Sequence, residues 1–196
     1  MKKRNRLLTG LAALAILTGL LTEGDVAAAS LVSKVEITIK GTLTQSLALA
    51  PGGAIAAPVF SQIVKDFANG SGANQANVIW SDRRTLTAST TEDLDFAGGG
   101  LLDAFGAAIA PTKIRLVYIA SSSANAQNLT LFGDTASIPI LNTAATTYTL
   151  QPGGVFLGMW PATAGLTVTA TTADIIQVAN GAGVSVTYDI VVLGGV

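Results

Sequence analysis

The sequence predicts an all-β protein, a two-sheet antiparallel sandwich of jelly-roll-like type, preceded by an N-terminal hydrophobic helix. Short runs rich in Thr, Val, Ile and Leu recur from Lys34 to Leu193, and Gly-rich turns separate them. Several of these runs alternate between apolar and polar residues, which is the period of a half-buried strand. Convincing helical periodicity is almost absent from the same region, so a sandwich is favoured over a mixed fold.

The N-terminal segment, residues 1–30, differs in composition from the rest. Four basic residues fall within the first six positions, and Leu7 to Leu21 then contains no charge. The small residues Ala27–Ala29 follow, which is the layout of a secretory signal peptide cleaved after them. Glu23 and Asp25 are unusual before such a site, so an uncleaved amphiphilic helix that docks into an assembly or a membrane surface is the alternative. A spanning helix needs about 20 apolar residues, so any membrane contact is expected only through Leu7 to Leu21.

Residues 31–196 are predicted to form one β-sandwich domain. In the first strand, Lys34 to Lys40, alternate residues are apolar and share one face. A second β-leaning run, Leu43 to Leu49, ends at a Pro-Gly-Gly turn. The apolar residues that follow fit helical spacing, but their flanks are turn-like, and the segment is left open between helix and strand: Phe60, Ile63, Val64 and Phe67.

Short strands are predicted at Arg84 to Ala88 and Asp93 to Phe96. Leu101 to Ile109 is apolar and Ala-rich, and it fits a strand with a bulge at Gly106. The strongest central strand is Lys113 to Ala120. Its second half is apolar on both faces, as expected of a strand buried between two layers.

The next elements are less regular. Asn128 to Phe132 is predicted to be a strand that ends at a Gly-Asp turn, and Leu166 to Ala170 alternates again. Ile138 to Leu141 contains Pro139, which lacks a backbone N–H and therefore indicates an edge or a bulge.

Two hairpins are predicted near the C-terminus. Tyr148 to Leu150 and Val155 to Trp160 flank a tight Pro-Gly turn. Asp174 to Ala179 and Val184 to Leu193 flank an Asn-Gly-Ala-Gly loop and form the hairpin predicted to be central to the sheet. Six side chains are expected to be largely buried: Leu116, Tyr118, Phe156, Trp160, Tyr188 and Ile190.

Composition indicates a surface that neighbouring molecules cover. Charged residues make up 12% of the chain, against roughly 25% in an average soluble domain, and the mean hydropathy is +0.54. A free monomer usually keeps more surface charge for solubility. We therefore expect a symmetric homo-oligomer. After residues 1–29 the chain has seven basic and ten acidic side chains, so a nucleic-acid-binding surface is not expected.

The residue types argue against catalysis. The chain has no histidine and no cysteine, and none of its lysines has the Ser-x-x-Lys spacing of a serine nucleophile with a lysine base. Asp93 and Asp95 lie on one predicted strand face and could bind Ca²⁺ with nearby loop carbonyls, but their spacing is not that of an EF-hand. We expect no enzyme activity, no cofactor and no metal, with the Asp93–Asp95 pair as the alternative to test.

One cluster stands out as a candidate interface. Trp80, Asp82, Arg83 and Arg84 follow a flexible Gly/Asn loop and precede a strand. Arg and Trp are over-represented at interface hot spots, which favours a contact between subunits. Local pairing of an arginine with Asp82 or Glu92, worth about 0–1 kcal/mol if exposed, explains the same residues equally well.

Several segments of the body carry a resemblance to known proteins: Asn69–Ala97, Leu102–Gly106 with Lys113–Ala120, Gln151–Phe156 and Ala173–Leu193. They resemble a family of small β-sandwich structural proteins, of head or decoration type, encoded by tailed bacteriophages and mostly without an assigned function. The resemblance covers about residues 35 to 196 and implies a virion component on or near the head. It supplies no catalytic residues, and the signal-like residues 1–30 depart from it.

The sequence therefore predicts a non-enzymatic virion structural protein, a capsid decoration or head-associated protein that packs as a homo-oligomer. Its expected partners are copies of itself and a major capsid or other virion protein. A trimer is favoured by analogy with virion β-sandwiches. The alternative is a secreted or cell-surface β-sandwich binding module whose signal peptide is cleaved. These two hypotheses differ in whether residues 1–29 remain in the mature protein.

Overall fold

A computed structural model describes residues 30–46, 54–143 and 145–196. The predicted N-terminal helix lies outside these residues. Within them there is no helix of any kind, and therefore none long and apolar enough to cross a membrane. The described residues form twelve strands: β1 (Ser33–Ser46), β2 (Ala54–Asn69), β3 (Gln75–Ala76), β4 (Val78–Leu86), β5 (Thr91–Asp95), β6 (Lys113–Ser121), β7 (Leu129–Leu131), β8 (Tyr148–Leu150), β9 (Val155–Met159), β10 (Leu166–Thr167), β11 (Ile175–Asn180) and β12 (Val186–Gly195).

Nine of these strands form two antiparallel sheets. The front sheet has the order β4-β12-β6-β9, and β10 pairs with the first two residues of β6. The back sheet has the order β5-β11-β7-β8. Every pairing in both sheets is antiparallel. The predicted all-β class and the antiparallel sheets are confirmed.

The hydrophobic core lies between the inner faces of the two sheets. Side-chain burial alternates along strand β12 as its sequence indicates. The side chains on its inner face are all buried: Val186, Tyr188, Ile190 and Val192. The back sheet contributes apolar residues of β5, β7, β8 and β11 to the same cluster. Of the six side chains expected to be buried, Leu116, Tyr188 and Ile190 are fully so, and the others are half-buried: Tyr118, Phe156 and Trp160.

Strand β6 is buried on both faces, as predicted. Its inner side chains face the core, and its outer side chains face a second, smaller apolar cluster. There Leu116 packs with Phe67 of β2 and Leu193 of β12. The strand is covered on its outer side because the start of the β1–β2 hairpin lies over the front sheet.

The predicted hairpin of Asp174–Ala179 and Val184–Leu193 is wrong as a pairing. Strand β11 lies in the back sheet, whereas β12 lies in the front sheet between β4 and β6. The connection passes from one sheet to the other. The Asn180 side-chain amide donates hydrogen bonds across this connection to the carbonyls of Thr87 (2.8 Å), Val184 (2.9 Å) and Leu86 (3.3 Å).

The predicted hairpin of Tyr148–Leu150 and Val155–Trp160 is wrong for the same reason. The tight turn exists, with Gly154 N–H donating to the carbonyl of Gln151 at 2.8 Å. However, β8 pairs with β7 in the back sheet, and β9 pairs with β6 in the front sheet. Turn residues reverse the chain, but they do not determine which sheet the next strand joins.

Two further segments differ from their predicted form. Leu101–Ile109 is a loop that makes only one isolated bridge, and the carboxylate of Asp103 accepts the N–H groups of Phe105 and Ala107 at 2.9 Å each. Ile138–Leu141 is not a strand. The hydrogen bonds of Asp103 hold its segment in a turn, because an Asp side chain readily accepts backbone N–H groups a few residues further on.

The segment left open between helix and strand is β2, which pairs with the whole of β1 through residues 54–67 and with β3 through its last two residues. The register runs from Ser33 opposite Phe67 to Ser46 opposite Ala54. At about 3.3 Å per residue the hairpin is roughly 45 Å long. We call β1 and β2 together the arm, and residues 39–46 with 54–61 the distal arm.

Candidate assembly interface

The structure separates the four residues predicted to form an interface. Trp80 is in the core, with only 4% of its surface exposed. Its ring makes a T-shaped contact with the ring of Phe96, the residue directly after β5 of the back sheet, with the ring centroids 5.7 Å apart. Asp82, Arg83 and Arg84 stay near the surface on β4, but alternate residues of a strand point to opposite faces.

Arg84 belongs to an ionic cluster at the margin of the core. Its guanidinium donates to Glu92 through Nε (2.7 Å) and a second nitrogen, and to Asp82 at 2.7 Å. The hydroxyl of Tyr188 donates to the other Glu92 oxygen at 2.8 Å. The Glu92 hydrogen bond raises the pKa of Arg84, and burial, with the Glu92 carboxylate, raises the pKa of Tyr188. This cluster ties the front sheet to the back sheet.

Arg83 points the other way, to the outer face of the front sheet. It donates to both carboxylate oxygens of Asp189 on β12, through Nε at 2.6 Å and a terminal nitrogen at 2.9 Å. That hydrogen bond holds the pKa of Asp189 below its usual value. The local pairing considered from the sequence is present for Arg84, which bonds to Glu92 and Asp82; Arg83 instead pairs with Asp189, which the sequence did not indicate. A contact of Arg83 with another subunit stays a prediction.

Asp93 and Asp95 have partners within the chain. Asp93 accepts a hydrogen bond from the Gln177 side chain at 2.8 Å. Asp95 accepts the N–H groups of Ala97 (2.8 Å) and Gly98 (2.6 Å), which shapes the glycine loop. Among the described residues no group of three or more Asp, Glu, His or Cys side chains has a metal-binding arrangement.

The arm has one apolar and one polar face. Directly paired residues of an antiparallel hairpin lie on the same side, so the register assigns every residue to a face. The polar face carries the Lys34–Glu36 ion pair, the Gln62–Glu36 hydrogen bond and Lys40 over the ring of Phe60. Its two large apolar side chains, Phe60 and Val64, are also exposed. The opposite face, which we call the apolar arm face, carries branched aliphatic residues along its whole length: Val35, Ile37, Ile39, Leu43, Ile55, Val59 and Ile63.

The start of the arm uses this face to pack on the protein itself. Val35 contacts the small cluster that contains Phe67, Leu116 and Leu193. Beyond it the apolar arm face is open. Leu43 is 74% exposed, Ile39 63% and Val59 62%. A two-stranded hairpin is marginally stable alone in water and needs packing on one face, so the distal arm has the composition of a surface that another molecule covers.

A groove lies between the arm and the outer face of the front sheet. It has a volume of about 580 Å³, and residues 33–38 of β1 form one wall. The other wall is apolar and comes from four strands of the front sheet: Ile79, Leu116, Tyr118, Val155, Leu157, Val191 and Leu193. Val155, at its margin, is 54% exposed. The polar end of the same sheet face begins at the Arg83–Asp189 pair, two residues from Val191.

The arm and the groove were missed from the sequence, although a signal was present. The alternation of Lys34–Lys40 predicts a strand with one apolar face, and that face continues through Leu43. In the second strand, apolar residues four positions apart lie on the same side of a helix and also on the same side of a strand. The helical spacing of Ile63 and Phe67 therefore could not separate the two structures.

In comparisons with protein-family models, curated proteins and solved structures, nothing matches this chain.

Proposed function

We propose that this protein is a non-enzymatic structural protein that acts by packing against copies of itself in a virion shell, as a capsid decoration or head-associated protein. The observation that carries the proposal is the apolar face of the distal arm. Its side chains are more than half exposed in the single chain. Large exposed apolar surfaces on a soluble domain mark interaction sites.

The strand pairing supports a second part of the proposal, that the sandwich is a jelly roll. Eight of its strands pair as a hairpin folded over on itself: β4 with β12, β5 with β11, β6 with β9, and β7 with β8. Each successive pair is nested inside the one before it, and the pairs alternate between the front and back sheets. This arrangement matches two interlocked Greek keys, an architecture that viral capsid domains share with lectins and cupins.

Fold alone does not assign function, so the charged groups are a second support. The close charges of the described sandwich neutralise one another in Arg84–Glu92 and Arg83–Asp189. These four side chains therefore have structural partners within the chain. By analogy with virion β-sandwiches we propose a trimer, with a major capsid or other virion protein as the further partner.

The experiment uses the full-length protein. Analytical ultracentrifugation at micromolar concentration should show a closed homo-oligomer, and intact mass should show that residues 1–29 are retained. Mass spectrometry of virus particles purified on a density gradient should then find the chain at a fixed ratio to the major shell protein. A monomer in solution, or a mature chain that starts near Ser30 and is absent from particles, contradicts the proposal and favours the secreted binding module.

A further inference from the structure

The apolar arm face and the groove are two unfilled apolar surfaces on one chain. The groove wall ends at Thr38 on β1, and Ile39, the next residue of the apolar arm face, is already 63% exposed. The arm therefore leaves the front sheet at this point. Its distal half cannot cover its own sheet, and the sheet keeps an open strip along Tyr118 and Val155.

We propose that the distal arm of one copy lies with its apolar face on the outer face of the front sheet of a second copy, beside that copy's own arm. The inference rests on the proposed homo-oligomeric function and names the contact that produces it. The occupant of the groove is thus another copy of this chain, and each copy both gives an arm and receives one.

The similarity between the start of the arm and the distal arm supports a second copy as the occupant of the groove. At the start of the arm, Val35 and Ile37 already line the groove together with Leu116 and Tyr118. The distal arm repeats the same pattern of branched aliphatic side chains on the same face, in Ile39 and Leu43. A surface that packs against the front sheet within one chain has the composition to pack against the same surface of a neighbour.

The area is sufficient for a stable contact. Four side chains of the distal arm on this face are between 58% and 74% exposed: Ile39, Leu43, Ile55 and Val59. Each exposes on the order of 100 Å² of apolar surface, so a reciprocal exchange buries roughly 1,600 Å² when arm and acceptor are counted in both copies, as in stable interfaces.

Packing of arm on arm is the competing arrangement between copies. It covers the distal arms but leaves the groove beside Tyr118 and Val155 open. Packing of arm on sheet covers both unfilled surfaces with one contact. Because the hydrophobic effect grows with the apolar area removed from water, the arrangement that covers both is favoured.

Engineered cysteines test the contact directly, because the natural chain has none. Leu43→Cys in one full-length chain and Val155→Cys in a second chain that carries a size tag are mixed, allowed to exchange subunits and oxidised mildly. The inference predicts a heterodisulfide between the two chains. Thr42→Cys is the matched control, because this neighbouring residue lies on the polar arm face and should give at least tenfold less of the same product.

A second variant measures association without a disulfide. Leu43→Asp changes a side chain that is 74% exposed, so the circular dichroism spectrum of the sandwich should match that of the wild type, while the dissociation constant of the oligomer should rise at least tenfold. Thr42→Asp, with the same charge on the polar arm face, should leave the oligomer unchanged.

The outcomes separate this inference from the proposed function. A wild-type monomer up to high micromolar concentration refutes both. An oligomer that forms disulfides only between two chains that both carry Leu43→Cys refutes the arm-on-sheet contact and establishes arm-on-arm packing. An oligomer that neither cross-links through Leu43 nor responds to Leu43→Asp refutes the arm as the interface and leaves homo-oligomeric packing standing.

Discussion

Replacement of Arg115 by methionine tests what fixes the arm to the sandwich. Arg115 is the bulged residue of β6, where the register with β12 shifts between Leu193 and Gly194, and it is fully buried. Its guanidinium donates to the carbonyls of four residues in two loops: Ser71 (2.6 Å), Gly72 (3.1 Å), Thr163 (3.1 Å) and Ala162. Residues 71–72 directly follow the arm, so this side chain connects the end of β2 to the front sheet.

The magnitude follows from opposing effects. A hydrogen bond from a charged donor contributes about 1.5–3 kcal/mol, and Arg115 makes four. Two effects reduce the loss. The acceptor loops lie at the surface, where water can replace part of the bonding. Removal of Arg115 also removes a buried cation that has no carboxylate partner among the described residues, together with its desolvation penalty. We expect a net loss of about 2–4 kcal/mol in the free energy of unfolding, which lowers the melting temperature by roughly 5–15 °C for a domain of this size.

Calorimetry on the full-length protein measures this change, and hydrogen exchange locates it. Amide protection should fall most in residues 67–76, where the arm ends, and less in the back sheet. The matched control is Arg83→Met, because that arginine is on the same sheet but exposed, and its melting temperature should stay essentially unchanged. If Arg115→Met melts at the wild-type temperature with wild-type protection of the arm, the guanidinium is not what holds the arm in place.

Three further changes have defined outcomes. Leu116→Ala, beneath the start of the arm, should cost about 2–5 kcal/mol in denaturant unfolding; an unchanged midpoint contradicts the burial of its outer face. Tyr188→Phe removes the hydrogen bond to Glu92 and should cost about 1–2 kcal/mol at neutral pH. Because the pKa of Tyr188 is raised in the folded state, its contribution to the free energy of unfolding is complete below about pH 10 and is lost as pH rises further. Above about pH 10, the stability of the wild type should therefore fall more steeply with pH than that of the variant. The melting temperature should be nearly flat from about pH 6 to 8, since the chain has no histidine. A sharp transition near pH 6.5 contradicts this reasoning. The lowered pKa of Asp189 contributes stability above the unfolded pKa of about 3.9, and that stability is lost as pH falls. Asp189→Asn should therefore make the free energy of unfolding fall less steeply as the solution is acidified.

Local patterns account for much of the fold. The alternation in Val184–Leu193 predicts the buried face of β12, and the apolar run of Lys113–Ala120 predicts a strand buried on both sides; both predictions are confirmed. These succeed because side-chain burial in a strand has a period of two, whatever lies beside the strand. The turn at residues 151–154 is also where the Pro-Gly pair indicates it.

Tertiary structure decided which strands are neighbours. The same turn residues connect strands within a sheet or between sheets, and this is why both predicted hairpins are pairs of strands in opposite sheets. It also decided that Trp80 fills the core and that Arg83 pairs with Asp189, since a ring or charge on one strand contacts a residue far away in the sequence only when folding places the second strand beside it.

By itself, the sequence determined an all-β chain, poor in charge, with strands whose buried faces can be read from their period. Only the tertiary structure decided that the first two strands leave the sandwich as an arm, because the apolar side chains of Ile39 and Leu43 have the same pattern as those of a core strand. What distinguishes them is that no other described part of the chain covers them, and whether a strand face is covered depends on contacts between residues far apart in the chain.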